Sequence, residues 1–377
     1  MKIGILTLPL HTNYGGILQA YALKTVLEQM GHDAYLIDVR LTQQSMLKVF
    51  KNKIKEFIFR DKALLKSSFS RKIKFQAYTK FTKLFIDKHF KNKTHTMSKI
   101  HQLEDEIKKY KFDAFVVGSD QIWNPKYFKN IEIAFLSFVN DEKILKISYA
   151  PSFGSDTWSF SPIQENNCKT LIQNFDAVSV REDSGVQLCE KYFGAKAKWV
   201  LDPTMLLKAE EYLKLIPKSF TTKSGKMFTY ILDKTEDKAK MISYIGSQKN
   251  LEAYELQTIE GYGPISLEMG TKASVEEWIN SFSEAKFVVT DSFHGTVFSI
   301  LFNKPFYSVI NFKRGATRFQ SLLKAFDLED RLLGSFSDLE SKDITNQIDW
   351  ENVNKKLEGK RTDSFLFLKE SLKKRNS

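Results

Sequence analysis

The sequence predicts an α/β protein of two Rossmann-like, doubly wound domains that face a cleft, with a basic helical insertion in the first domain. Three observations predict it. Apolar, strand-like runs alternate with amphipathic helical stretches through both halves, the pattern of mainly parallel sheets. Those runs end in short polar or glycine-containing loops, and in open parallel sheets the carboxyl ends of the strands line the ligand crevice. The chain of 377 residues is long enough for two domains of ordinary size, each with its own core.

The opening MKIGILTLPLHTNYGGILQAYALKTVLEQMGHDAYLID reads as strand, loop, helix and strand. Ile3, Ile5 and Leu6 form the first strand, and Ile17, Leu18, Leu23, Val26 and Leu27 recur on one helical face that stops at Gly31. The loop lacks the GxGxxG spacing of a dinucleotide site, so NAD is not indicated. Gly15 and Gly16 still let backbone approach a ligand at a helix start, where unpaired N–H groups favour an anion. A tight turn without a ligand is the alternative. Further strand signals fall at 112–117, 144–150, 177–180 and 198–201, then at 227–232, 251–256, 286–290 and 305–309, separated by helical patterns such as 275–283. The domains accordingly span 1–205, with the insertion at about 45–95, and 206–348. A tail over 349–377, with Trp350, Val353, Leu357 and Leu368 at helical spacing, is expected to pack back across the molecule.

Composition bounds the function. Hydrophobic residues make up 42% and charged residues 27%, the balance of a soluble globular protein. No apolar run reaches the roughly 18 residues of a spanning helix, and the chain opens on a core-strand pattern, so a cytoplasmic site of action is expected. Cys168 and Cys189 lack CxxC spacing and read as buried thiols; the six histidines are scattered without an HxxxH pair, so no metal is expected. The net charge of +12 resides in one segment, where residues 48–93 hold fifteen Lys or Arg against three Asp or Glu. Phe50, Phe57, Phe59, Phe69, Phe75, Phe81, Phe85 and Phe90 interleave those cations. Such helices lie on anionic lipid, each cation contributing on the order of 1 kcal/mol, or pack their phenylalanines on the body with the lysines solvated. No nucleic-acid motif accompanies the charge.

Four loops follow strand signals: HTNYGG, GSDQIWNP, SVREDSG and TDSFHG. Facing domains would bring them to one cleft. In the second, Ser119 and Asp120 offer hydrogen-bonding groups and Trp123 a ring to stack on a sugar, the alternative being an Asx-type turn with Trp123 in the core. Arg181 in the third suits bidentate recognition of a carboxylate or phosphate; an ion pair with Glu182, Asp183 or Asp202 is its structural alternative. His294 in the fourth stands at a strand-to-helix turn, either as a titratable group facing the chemistry or as part of a capping turn. The run NFKRGATRF adds Lys313, Arg314 and Arg318 beyond the last strand.

Taken together, NYGGILQAYAL, VVGSDQIWNP, AVSVREDSG, VLDPT and VVTDSFHGTVFSILFNKP resemble the bacterial polysaccharide pyruvyl transferase family, over residues 1 to about 320 apart from the insertion. The resemblance implies two domains arranged as in GT-B glycosyltransferases. It also implies transfer of an enolpyruvate-derived group from phosphoenolpyruvate to two hydroxyls of a sugar, giving a cyclic ketal, with no further cofactor. The family's catalytic segment often reads Arg-x-His-Gly; here it is Ser292-Phe293-His294-Gly295. His294 carries over as general acid/base, whereas the missing arginine's anion-binding role does not; the helix start disfavours the histidine's cationic form, and Asp291 or the bound donor's negative charge opposes this. Donor contacts are then expected from Arg181, Ser292, Gly295, Gly15 and Gly16, with Arg318 substituting for the absent cation. Acceptor contacts are expected from Asn13, Tyr14, Ser119, Asp120 and Trp123. A lipid-linked sugar would give segment 48–93 a purpose at the inner membrane face. The competing readings are a GT-B glycosyltransferase using a nucleotide sugar and a non-catalytic partner in a polysaccharide assembly complex.

Overall fold

The structure, a computed structural model, describes residues 1–40, 75–218, 220, 225–256, 271–311 and 315–373. Two all-parallel sheets organise it. The first contains β1 (Lys2–Leu6), β2 (Asp33–Leu36), β3 (Ala114–Val117), β4 (Leu145–Ser148), β5 (Ala177–Val180) and β6 (Lys198–Trp199), in the order β2-β1-β3-β4-β5-β6. The second contains β7 (Met227–Tyr230), β8 (Ala253–Glu255), β9 (Phe287–Thr290), β10 (Phe306–Val309) and β11 (Leu332–Leu333), in the order β11-β10-β9-β7-β8. All four residues of β3, β4, β7, β9 and β10 are buried. Helices cover both faces of such sheets, which is why these strands read as continuous apolar runs instead of alternating ones. In register, Ile5 faces Val116 and Val116 faces Ile147 in the first sheet, and Phe228 faces Val288 in the second. The strand order reverses between β1 and β3, and again between β7 and β9. Crevices at such switch points take ligands in doubly wound sheets.

The helices are α1 (Tyr14–Gln29), α2 (Lys80–His89), α3 (Ile100–Tyr110), α4 (Ile131–Ala134), α5 (Pro162–Ile172), α6 (Asp183–Leu188), α7 (Ala209–Leu213), α8 (Glu236–Lys249), α9 (Val275–Glu284), α10 (Phe293–Leu301), α11 (Thr317–Lys324), α12 (Phe336–Glu340) and α13 (Trp350–Ser371). Side-chain caps set several of their starts. Asn13 Oδ1 accepts from Gly16 N to open α1, and Ser161 and Ser274 form capping boxes with Gln164 and Glu277 at α5 and α9.

An apolar core joins the two sheets. Ile17 and Leu18 of α1 share it with Trp278 and Phe282 of α9 and Phe298 of α10. Tyr14 stacks on Trp278 with ring centroids 5.5 Å apart, and its hydroxyl donates to the Ala273 carbonyl at 2.6 Å. Lys272 Nζ donates to the Thr12 carbonyl at 2.6 Å and lies 4.0 Å from the Tyr14 ring centroid. At the chain end, α13 returns to the first sheet: Ser364 Oγ accepts from Leu201 N at 3.0 Å, and Arg361 Nε donates to the Met205 carbonyl at 2.8 Å.

Residues 41–74, which include most of the basic segment with Phe50, Phe57, Phe59 and Phe69, lie outside the described residues. The rest of the segment divides its apolar side chains. Phe85 and Phe90 are buried, Phe85 edge-on to Tyr21 at 5.9 Å, whereas Phe75, Phe81 and Leu84 are 46%, 38% and 56% exposed. Beyond α2 the chain runs back along β2, where Thr94 Oγ1 accepts from Asp38 N at 3.0 Å.

Candidate active site

Four chain segments meet beneath the cleft: the first turn of α1, the residues following β5, the residues following β6, and the first turn of α10. Each brings a polar group because its strand or helix ends there. Arg181 is the first residue after β5, Asp202 caps a short 3₁₀ turn over Pro203–Met205, and His294 is the second residue of α10.

Arg181 is 4% exposed and its charge is met by three carboxylates: Nη1 donates to Asp202 Oδ2 at 2.8 Å, Nε to Glu182 Oε1 at 3.2 Å, and Nη2 lies 3.6 Å from Asp120 Oδ1. Burial opposes that charge, but Glu182, Asp202 and Asp120 outweigh burial and hold the guanidinium above its ordinary pKa. Its plane lies 4.3 Å from the Phe293 ring centroid, and Arg318 lies 5.8 Å from the same centroid. Arg318 is pulled down to about 10, first by burial and then by Arg181.

Asp202 is the hub. Its Oδ1 accepts from Thr204 N at 3.0 Å and Thr204 Oγ1 at 2.6 Å, and its Oδ2 accepts from Arg181 and, at 3.3 Å, from Ser119 Oγ. The same Oδ2 lies 3.5 Å from His294 Nε2. Burial would raise its pKa, yet His294, Arg181 and Thr204 together hold it well below the carboxylate range. His294 is 6% exposed, and on its other edge a Cβ on Gly15 would fall 2.1 Å from Nδ1. Only glycine at position 15 lets α1 approach the imidazole this closely.

Several expected contacts are corrected by this geometry. Trp123 does not present its ring to a sugar: it is fully buried, stacked on Phe135 at 4.7 Å, with Nε1 donating to the Ala134 carbonyl at 3.1 Å. Tyr14 is also fully buried, its ring in the core between the sheets. Ser119, expected to meet an acceptor, is buried, its single hydroxyl hydrogen shared between the Ala150 carbonyl at 2.6 Å and, more weakly, Asp202 Oδ2 at 3.3 Å. Asp120 is 5% exposed and belongs to the Arg181 cluster. Asn13 alone among the expected acceptor contacts is exposed.

On the donor side, Arg181 is engaged by carboxylates where an anion clamp was expected. Asp291 does not face His294: it accepts from Lys238 Nζ at 2.6 Å, Leu232 N at 2.6 Å, Asp233 N at 3.0 Å and Asn311 Nδ2 at 3.1 Å. It braces the loop after β7 against the start of α10. Ser292 caps α10, its Oγ accepting from Gly295 N at 3.3 Å, and Gly295 is required by packing, since a Cβ there would fall 2.2 Å from Thr290 Oγ1. Gly16 N is taken by the Asn13 cap at 3.1 Å. Lys313 and Arg314 lie outside the described residues.

Asp202 and Glu182 are the site residues that the sequence reading missed as such. Their signals were present: VLDPT puts an Asp-Pro turn directly after a strand, and Glu182 follows Arg181 at a strand end. Among the described residues, no group of three or more His, Cys, Asp or Glu side chains is placed to hold a metal ion, and no helix is long and apolar enough to cross a membrane. What has been assembled is a buried imidazole against a carboxylate, with two guanidinium groups flanking one phenyl ring nearby. Such a site can hold and transfer a proton beside a bound anion.

One family model, described as polysaccharide pyruvyl transferase, matches residues 13–312. No curated protein matches the sequence. Among solved structures, a Listeria monocytogenes protein assigned as a UDP-N-acetylglucosamine 2-epimerase is 11% identical, with a TM-score of 0.54 over 98% of this chain and 95% of that one. The Methanocaldococcus jannaschii UDP-GlcNAc 2-epimerase, solved with UDP-GlcNAc and UDP, is 12% identical, with a TM-score of 0.52 over 98% of this chain and 100% of that one. A Glycyrrhiza uralensis UGT complexed with glycyrrhetinic acid 3-O-monoglucuronide is 10% identical, with a TM-score of 0.50 over 98% and 94%. At these identities the likeness is one of fold, the GT-B-like pairing of two parallel α/β sheets.

Proposed function

Because the chain belongs to the polysaccharide pyruvyl transferase family, its model matching residues 13–312, we propose that it moves an enolpyruvate-derived group from phosphoenolpyruvate to two hydroxyls of a sugar in a cell-envelope or capsular polysaccharide precursor. The supporting observation is the His294–Asp202 pair, 3.5 Å apart, beside the two cations that flank Phe293.

In this reading His294 delivers a proton to the methylene carbon of the donor, turning it into a methyl group and leaving positive charge on the adjacent carbon. One sugar hydroxyl adds to that carbon, phosphate leaves, and the second hydroxyl closes the ketal. Of the two hydroxyl protons released, one replaces the proton given to the methylene and the other leaves with phosphate. Arg318 is the donor's cation. Burial and Arg181 pull its pKa down to about 10, so it keeps its charge near neutral pH, and a bound carboxylate or phosphate would offset their effect. Arg181 holds Asp202 in place. Asn13, exposed at the start of α1, is the side chain left to meet an acceptor.

The test is calorimetric titration with phosphoenolpyruvate and with a panel of UDP- and GDP-sugars, on the wild type and Arg318→Met. Saturable phosphoenolpyruvate binding, weakened in the variant by roughly the 1.5–3 kcal/mol of a charged hydrogen bond, is expected. Nucleotide-sugar binding with no response to phosphoenolpyruvate would overturn the reading in favour of glycosyl transfer.

For the acceptor we propose a lipid-linked sugar reached at an anionic membrane surface. Exposed Phe75, Phe81 and Leu84 stand among the exposed Lys80, Lys83 and Lys88, the pairing of apolar and basic groups that interfacial helices use. Replacing these three lysines by glutamate is expected to reduce sedimentation with phosphatidylserine-containing liposomes several-fold. An unchanged bound fraction would remove the membrane from the account.

A further inference from the structure

We propose that Asp202 is the positioning residue of His294: it engages Nε2 and fixes the neutral ring in the Nε2–H tautomer. This rests on the reading of His294 as the acid/base. It assigns that residue a partner that follows a strand of the other sheet.

Three observations carry it. First, Asp202 has almost no freedom. Thr204 N, Thr204 Oγ1, Ser119 Oγ and Arg181 Nη1 all donate to it, so its Oδ2 is fixed in direction before any ligand arrives. Second, Nε2 of His294 is buried and forms no hydrogen bond; Asp202 Oδ2 faces it at 3.5 Å. That gap exceeds the 2.7–3.2 Å of a formed N–H···O bond, and catalytic contacts of this kind commonly tighten when substrate binds. Third, the other edge of the ring is set by Gly15, whose absent Cβ would fall 2.1 Å from Nδ1. The imidazole is thus held between a carboxylate and the backbone of α1.

The carboxylate next to His294 in the sequence is unavailable for this role. Asp291 is engaged by Lys238, Asn311 and two backbone N–H groups. The charged groups around the pair are Arg181 and Glu182 after β5, Asp120 after β3, and Arg318 of α11; α10 itself and the first turn of α1 contribute none. Tyr149 and Tyr212, which sense Asp202, are buried and pushed up, so they stay neutral. A single carboxylate from the first domain therefore orients a histidine of the second, and the acid/base exists as a unit only when the two domains stand in this relation.

The experiment is ¹⁵N NMR of the histidine rings in the full chain, comparing wild type, Asp202→Asn and Gly15→Ala, with His294 assigned by its loss in His294→Ala. The wild type is expected to show the Nε2–H tautomer at high pH. In Asp202→Asn that signature is expected to fade, since the acceptor that orients Nε2–H has lost its charge. The variant's kcat should fall about 100-fold or more, with KM for phosphoenolpyruvate within a few-fold. Gly15→Ala, whose methyl would fall 2.1 Å from Nδ1, forces the ring out of its present place while leaving the buried carboxylate web intact, and is expected to lose the same tautomer signature. It serves as the test should Asp202→Asn fail to fold. An identical tautomer and unchanged kcat in folded Asp202→Asn, or an unchanged ring in Gly15→Ala, would overturn the assignment. Because the ring signals need no substrate, a wild type that shows them but does not turn over phosphoenolpyruvate would count against the pyruvyl-transfer reading alone.

Discussion

Arg181→Met is expected to destabilise the fold by about 3–5 kcal/mol, the usual cost of removing one partner from a buried ionic cluster. The guanidinium is the counter-charge shared by Asp120, Glu182 and Asp202, each at most 5% exposed. Methionine fills the space over Phe293 but neutralises none of them. At roughly 2–4 °C per kcal/mol for a domain of this order of size, the melting temperature should fall by about 6–20 °C at pH 7. The pH dependence has a definite sign. In the wild type Asp202 has a depressed folded pKa, so its stabilising contribution is present above the ordinary carboxylate value, about 4, and is lost as pH falls below it. In the variant the stranded carboxylates are pushed up, so protonation relieves them. The gap between the two proteins should therefore narrow as pH falls from 7 toward 4, which scanning calorimetry at two or three pH values measures. Adding Asp202→Asn to the variant should recover part of the loss. A pH-independent difference below about 1 kcal/mol would mean that the cluster does not carry the charge balance described.

His294→Ala is expected to behave in the opposite way, losing at least about 100-fold in turnover while remaining folded. Truncation leaves no stranded charge, because Asp202 keeps Arg181, Thr204 and Ser119. Circular dichroism and melting should stay close to wild type while single-turnover phosphate release collapses. Near wild-type turnover would remove His294 from the chemistry. The contrast between the two variants separates the groups that build the site from the one that reacts in it.

The sheets were legible because strands covered on both faces leave short uninterrupted apolar runs such as AFVV and FVVT, bounded by turn residues. β11, with two residues, is too short to leave such a signal. His294 could be placed at a strand-to-helix turn for the same reason, and Ser292 as its cap follows from residue type. The histidine's carboxylate could not be read in this way. Asp291 is near in sequence but is claimed by Lys238, whereas Asp202 arrives from the other domain through a turn whose direction only the packed sheets define. Trp123 and Tyr14 mislead for a related reason: an aromatic residue beside a strand end suits a sugar and a core equally well, and its environment decides. Gly15 suggested an anion, but its lack of a side chain serves the imidazole.

The central claim is ketal transfer from phosphoenolpyruvate with His294 as the acid/base. Its most direct test incubates wild type and His294→Ala with phosphoenolpyruvate and a panel of lipid-linked and free glycans, following phosphate release together with the acceptor's mass and its methyl NMR signal. The account predicts stoichiometric phosphate and a new ketal methyl on one acceptor with the wild type, and neither with the variant. Transfer of a sugar from a nucleotide donor by the same preparation, with phosphoenolpyruvate left intact across the panel, would contradict it.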